Sequence, residues 1–313
     1  MVTTNFDPDI PVPIAFVDGV FPVVPTATAP IDPGHPGLGK GRSARVMPPK
    51  GKSYALRSED IDKLVEQGFS RGLAKQMTKN NLAFPLRIWV VDNSGSMNKG
   101  DGNRLVETRR KEDVKVVSCT RWKEIQQTVD YHVQMAALLH APTVFRLLND
   151  PGRGAGEQQF SIAEKGEAAI PNDVTIARKT MGAATPGGVT PLSAHVYEIR
   201  SNIMAMESEL RSTGSKAAIV LATDGLPTDE HGMCDQYTKN QFKEALKTLE
   251  GLPIWVVVRL CTDDDDVVEF YNELDHQLEF SLEVLDDFMG EAKEVYEYND
   301  WLNYALPLHR CRE

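Results

Sequence analysis

Three short runs of aliphatic residues fix most of what this chain can become. Leu86–Val91, Ala217–Thr223 and Ile254–Leu260 are apolar almost without interruption. A strand with one wet face alternates between apolar and polar residues, and a strand covered on both faces does not. These three therefore belong in the centre of one sheet, adjacent to each other, with helices above and below. Leu192, Val196, Ile199, Ile203, Met206 and Leu210 fall at i, i+4, i+7, i+11, i+14 and i+18, the clearest helical stripe in the chain. Further helices are expected over about 121–139, 172–181 and 286–297, and another around Phe242, Ala245, Leu246 and Leu249. Strands over 143–148 and 158–162 flank the turn Pro151-Gly152-Arg153-Gly154-Ala155-Gly156, which reads as a hairpin. Residues 278–284 alternate with period two and predict an edge strand with one wet face. The expected fold is α/β: a doubly wound, mostly parallel, Rossmann-like central sheet with helices on both faces and one antiparallel edge strand.

The flanks differ in character. Residues 1–57 carry ten of the 19 prolines, and His35 to Arg57 holds six basic residues and no acid. That stretch reads as a disordered, basic, Pro/Gly-rich arm. Residues 58–81 read as a short helical segment, with Ser58 as N-cap and Gly68 ending the first helix. Residues 84–290 form the α/β domain, and 291–313 an acidic helical extension. Residues 251–313 hold four basic and 16 acidic residues, a net charge of −12, which reads first as a solvated face and second as a dock for a basic partner.

The whole chain has a net charge of −11, so nucleic acid is not an expected partner. Its 41% hydrophobic and 25% charged residues are globular values. No apolar run is long enough to span a membrane. The first residues lack a basic region followed by an apolar core, so no secretory leader is expected and the expected location is cytoplasmic. Four scattered cysteines, with no C-x-x-C pair, indicate neither a zinc site nor a disulfide framework.

In a sheet of this kind ligands bind beyond the carboxyl ends of the strands, where the strand order reverses. Asp92-Asn93-Ser94-Gly95-Ser96 follows the first apolar strand, and Asp224-Gly225 follows the second. Gly188-Val189-Thr190-Pro191-Leu192 opens the strongest helix. Each has a local reading: an Asx turn, a turn signal, and an N-cap at Thr190 with proline at the first helical position. Together they bring hydroxyls and carboxylates to one sheet end, a donor set suited to a small hard cation that keeps some waters.

At these residues the chain resembles the von Willebrand factor type A domain with a metal-ion-dependent adhesion site. Asp92, Ser94 and Ser96 match its D-x-S-x-S element, Thr190 its distant threonine and Asp224 its distant aspartate. The resemblance covers about residues 84–290. It implies Mg2+, with Mn2+ as the alternative, bound directly by Ser94 and Ser96. Thr190 would bind directly or through water, and Asp92 and Asp224 mostly through waters. It further implies a binding module and not an enzyme, in which an acidic side chain of a partner protein completes the coordination. The long stretch between Ser96 and Thr190 is read as an inserted charged loop (98–113) plus the glycine-rich hairpin.

Two alternatives follow from other residues. Gln67-Gly68-Phe69-Ser70, with Ile61 and Leu64 before it, resembles the first two helices of a ubiquitin-associated domain. That resemblance implies ubiquitin binding through Gly68 and Phe69, although no third helix is evident before Leu86. A metal-dependent hydrolase would use Ser94 as nucleophile, with His195 the one histidine placed near by sequence. The G-x-S-x-G elbow is absent, and no phosphate-binding glycine loop is present.

Overall fold

The computed structural model describes residues 56–107 and 114–313. Its helices are α1 (Ser58–Glu66), α2 (Arg71–Ala83), α3 (Arg121–Leu138), α4 (Ile170–Ala183), α5 (Leu192–Thr213), α6 (Gln236–Lys247), α7 (Asp265–Gln277), α8 (Phe288–Tyr298) and α9 (Leu306–Arg312). Its strands are β1 (Leu86–Val91), β2 (Gly102–Glu107), β3 (Val114–Cys119), β4 (Thr143–Leu147), β5 (Gln159–Ile162), β6 (Ala217–Thr223), β7 (Ile254–Leu260) and β8 (Leu282–Leu285). Six strands form one sheet in the order β5-β4-β1-β6-β7-β8, parallel except for the β4–β5 pair at one edge. The three uninterrupted apolar runs, β1, β6 and β7, lie side by side within it.

The strand pleat sends alternate residues to opposite faces. Leu86, Ile88 and Val90 join a cluster with the apolar sides of α5, α6 and α7. Trp89 and Val91 join a second cluster with α3 and α4. All six apolar residues of the α5 stripe are buried, and each contributes about 1.5–3 kcal/mol on leaving water. That stripe, not intrinsic propensity, holds the long helix to the sheet.

Several expectations change. The segment 98–113, expected as a charged loop, follows a 3-10 turn over Gly95–Asn98 and carries β2, which pairs antiparallel with β3 just beyond it; residues 108–113 lie outside the described part. Val106, Val116 and Val117 are β-branched and suit an extended strand although their side chains stay exposed, and Gly102 lets β2 press against α3. A Cβ there would meet the Arg121 backbone at 2.9 Å. The alternation over 278–284 yields pairing only over Leu282–Leu285, because Leu278 is drawn in to cap α7, a helix the sequence reading does not assign. Arg57, not Ser58, caps α1, and Asp60 reaches back to the Arg57 N–H at 3.1 Å. Thr190 is not the N-cap of α5; Pro191 is.

The arm expected over 1–57 lies outside the described residues except for Leu56 and Arg57. The 58–81 segment forms a helical hairpin, α1–α2, that packs on α3 through Leu64, Phe69, Ala74, Met77, Met135 and Leu139. The acidic C-terminal stretch is not uniformly solvated. Glu283 and Glu291 pair with Arg312, and the Glu313 carboxylate is buried against Arg259, Arg310, His132 and His309. Among the described residues no helix is long and apolar enough to cross a membrane.

Candidate metal centre

The chain runs from β1 outward through β4 to β5, then returns past β1 to build β6, β7 and β8. The order therefore reverses at the β1–β6 junction, and Asp92 and Asp224 are the residues that leave those two strands. The Asp92 N–H donates to the Ala222 carbonyl at 2.8 Å, so the ladder ends at the site itself.

Asp92 is fully buried and spends both carboxylate oxygens on its own scaffold. Oδ1 accepts the Ser94 N–H at 2.8 Å, the Asx turn that curls the loop. Oδ2 accepts the Thr223 hydroxyl at 2.6 Å, which ties the loop to the end of β6. From there the polar groups form a chain. Ser94 Oγ lies 2.9 Å from Ser96 Oγ, and Ser96 Oγ donates to Asp224 Oδ1 at 2.7 Å. Ser94 is buried and Ser96 half-buried, so the chain reaches solvent at Ser96. Burial, and then the charge of Asp224, push the Asp92 carboxyl up to about 6.

The glycine-rich loop is fastened alongside. The Gly95 N–H donates to the Gly188 carbonyl at 3.3 Å, and the Gly187 N–H to the Asn93 carbonyl at 2.8 Å. Asn93 and Asn149 exchange bonds: Asn93 Nδ2 donates to the Asn149 carbonyl at 3.1 Å, and the Asn149 N–H to Asn93 Oδ1 at 2.7 Å. Asn149 Nδ2 then donates to the Val189 carbonyl at 2.8 Å. Thr190 is buried, and its backbone exchanges bonds with Thr228 at 2.9 and 3.0 Å. That pairing explains why Thr190 is not a helix cap. Its hydroxyl makes none of the bonds in the serine–aspartate chain, but it lies 4.0 Å from where a Cβ on Gly225 would stand.

So Asp92, Ser94, Ser96 and Asp224 meet in one hydrogen-bonded chain, with Thr190 beside it. Sequence reasoning does not find Arg121. Thr120 caps α3 by accepting the Lys123 N–H, which sets Arg121 at the first helical position. Its Nη1 donates to Asp224 Oδ2 at 2.8 Å, and its Nε and Nη2 reach Asp101 at 2.6 and 2.5 Å. Asn93, Asn149, Thr223 and Thr228 are likewise missed. No single-sequence signal marks them, save that Asn93 and Thr223 adjoin site residues.

The donor set fits a small hard cation: hydroxyls and carboxylates, all oxygen, with two neighbouring buried acids of which Arg121 neutralises one. Among the described residues no cluster of three or more His, Cys, Asp or Glu side chains is arranged to hold a metal. Any centre here depends on hydroxyls.

The other candidates lie elsewhere. The Phe69 ring is 2% exposed, packed between the α1–α2 hairpin and α3, while Gly68 turns the chain at φ +92°. His195 is buried, with Nε2 donating to the Leu148 carbonyl at 3.0 Å and no hydrogen bond to Ser94. No family model matches the chain, and no curated protein matches it.

Proposed function

We propose that this protein is an intracellular, metal-dependent protein-binding module with a doubly wound, von Willebrand A-type fold. The single observation that carries the reading is the hydroxyl–carboxylate chain Ser94–Ser96–Asp224, formed at the sheet's switch point from residues 128 apart in sequence. Ser94 and Ser96 would hold Mg2+ or Mn2+ directly, with Thr190 in reserve. Asp92 and Asp224 would orient the hydroxyls and metal-bound waters. A cation held mainly by neutral hydroxyls stays electrophilic toward an anionic ligand. An Asp or Glu side chain of a partner protein supplies that ligand in this reading, which is recognition and not turnover.

The test is magnesium titration of the full chain by calorimetry, wild type against Ser94→Ala. Saturable binding in wild type only, with unchanged circular dichroism in the variant, supports the centre. Equal binding by both proteins removes it. Partner capture that persists in EDTA would remove the metal's role even if the ion binds.

A further inference from the structure

A cavity of about 410 Å3 lies against the sheet at the end opposite the metal loops. Strand register builds its floor. Arg87, Ala218 and Trp255, each the second residue of its strand, are Cα partners in one row across β1, β6 and β7. Trp89, Val220 and Val257 form the next row on the same face. Between the long side chains of Arg87 and Trp255 the first row carries only a methyl group, so the floor is hollow there. The roof is made by α2, α3 and α9, which contribute Met77, Met135 and Cys311. The lining is mainly apolar around a polar side that includes Arg87 and the glutamates Glu283 and Glu313, each of which is paired with an arginine.

Arg87 is the polar group that stands out. Its Nη1 donates to the Phe84 carbonyl at 3.1 Å and its Nη2 to Asn81 Oδ1 at 2.9 Å, both uncharged acceptors. The other arginines lining the cavity already hold carboxylates: Arg310 bonds Glu313 at 2.6 Å and Arg312 bonds Glu283 at 2.7 Å. The buried arginines elsewhere, Arg121, Arg146 and Arg259, are also paired with acids. Among the described residues Arg87 has no carboxylate partner. Burial pushes its guanidinium down to about 10, the direction expected of a cation lacking a counter-ion. Arg87 is half-buried and lines the cavity.

We propose that this cavity binds a small amphipathic carboxylate, its head on Arg87 and its apolar body over Ala218 and Val220. A carboxylate matches the planar fork of a guanidinium and supplies the missing charge. The volume suits a ligand of about ten to fifteen heavy atoms. This site is independent of the metal reading and uses none of its residues.

Decanoate is the probe, titrated into the full delipidated chain by calorimetry and by tryptophan fluorescence. One saturable site is expected, with decanol binding at least tenfold more weakly. Arg87→Met should cost tenfold or more in decanoate affinity. Ala218→Met, which fills the hollow and leaves the guanidinium in place, should abolish binding and keeps the test decisive if Arg87→Met folds poorly. Absence of saturation, equal affinity for decanol, or unchanged affinity in Ala218→Met overturns the proposal.

Discussion

Asp224 is held from two sides. Its Oδ2 accepts Nη1 of Arg121 at 2.8 Å while its Oδ1 accepts the Ser96 hydroxyl at 2.7 Å. Both partners of the ion pair are buried, with side-chain exposures of 4% and 0%. Arg121 therefore fixes the orientation of the carboxylate that aims the serine.

Arg121→Gln should leave Asp224 as a buried, unpaired charge. Breaking such a pair from one side costs about 3–5 kcal/mol. In EDTA, urea unfolding should show a loss of that order. If a divalent cation occupies the site, saturating magnesium should stabilise the variant more than the wild type, because the ion takes over part of the neutralisation. Equal stabilisation of both proteins would mean that ion and guanidinium do not share Asp224.

Gly188 and Gly187 should behave differently although they are adjacent. Gly188 has φ +87°, and a Cβ there would stand 2.6 Å from Asn149 Oδ1. Gly188→Ala should strain the backbone by about 1–3 kcal/mol and push Asn149 off the Val189 carbonyl, loosening the loop that carries Thr190. Gly187 has no atom within 4 Å of an added Cβ, and Gly187→Ala should be nearly neutral. Thermal melts of the two variants, with magnesium titrations beside them, make the comparison.

His195 gives the fold a dependence on acid. Burial holds its imidazole down at about 4, and among the described residues its Nδ1 has no hydrogen-bond partner. An unfolded histidine titrates near 6.5, so below that pH the unfolded chain takes up a proton that the folded chain refuses. Stability from this residue is complete above about pH 6.5 and drains away as pH falls toward 4. Between pH 7 and pH 5 the loss should be about 2 kcal/mol. Chemical denaturation at both pH values, wild type against His195→Asn, should show the difference shrinking in the variant.

Phe69 separates a packing role from a recognition role. Its ring is buried in the cluster joining the α1–α2 hairpin to α3, so Phe69→Ala should cost about 3–5 kcal/mol. Hydrogen exchange should then rise across residues 58–83 and in the second half of α3. If Phe69 instead served as a surface contact for ubiquitin, stability would stay unchanged while ubiquitin binding fell.

The placement of β1, β6 and β7 was legible because it rests on a local property. A run of aliphatic residues without alternation can only be satisfied by cover on both faces. The residues just beyond two of those strands then had to share a sheet end, which brought Asp92, Ser94, Ser96 and Asp224 into view. The β2–β3 pair was not legible, since its valines stand among charged and polar residues, and pairing with a neighbouring strand decided the outcome. The edge strand β8 was misjudged in length for a related reason: Leu278 had two apolar destinations, and docking against α7 took it.

What the sequence determined by itself is what periodicity and nearest neighbours encode: the central strands, the long helix α5, and the Asx turn by which Asp92 curls its loop. Tertiary structure alone decided which distant groups meet. Arg121 reaches Asp224 across 103 residues, and Asn93 meets Asn149 across 56. The cavity exists because register sets the small Ala218 between Arg87 and Trp255. Hydrophobic spacing fixes which face a residue takes. The identity of its neighbour on that face depends on strand order and register, which arise only when the whole sheet closes on its helices.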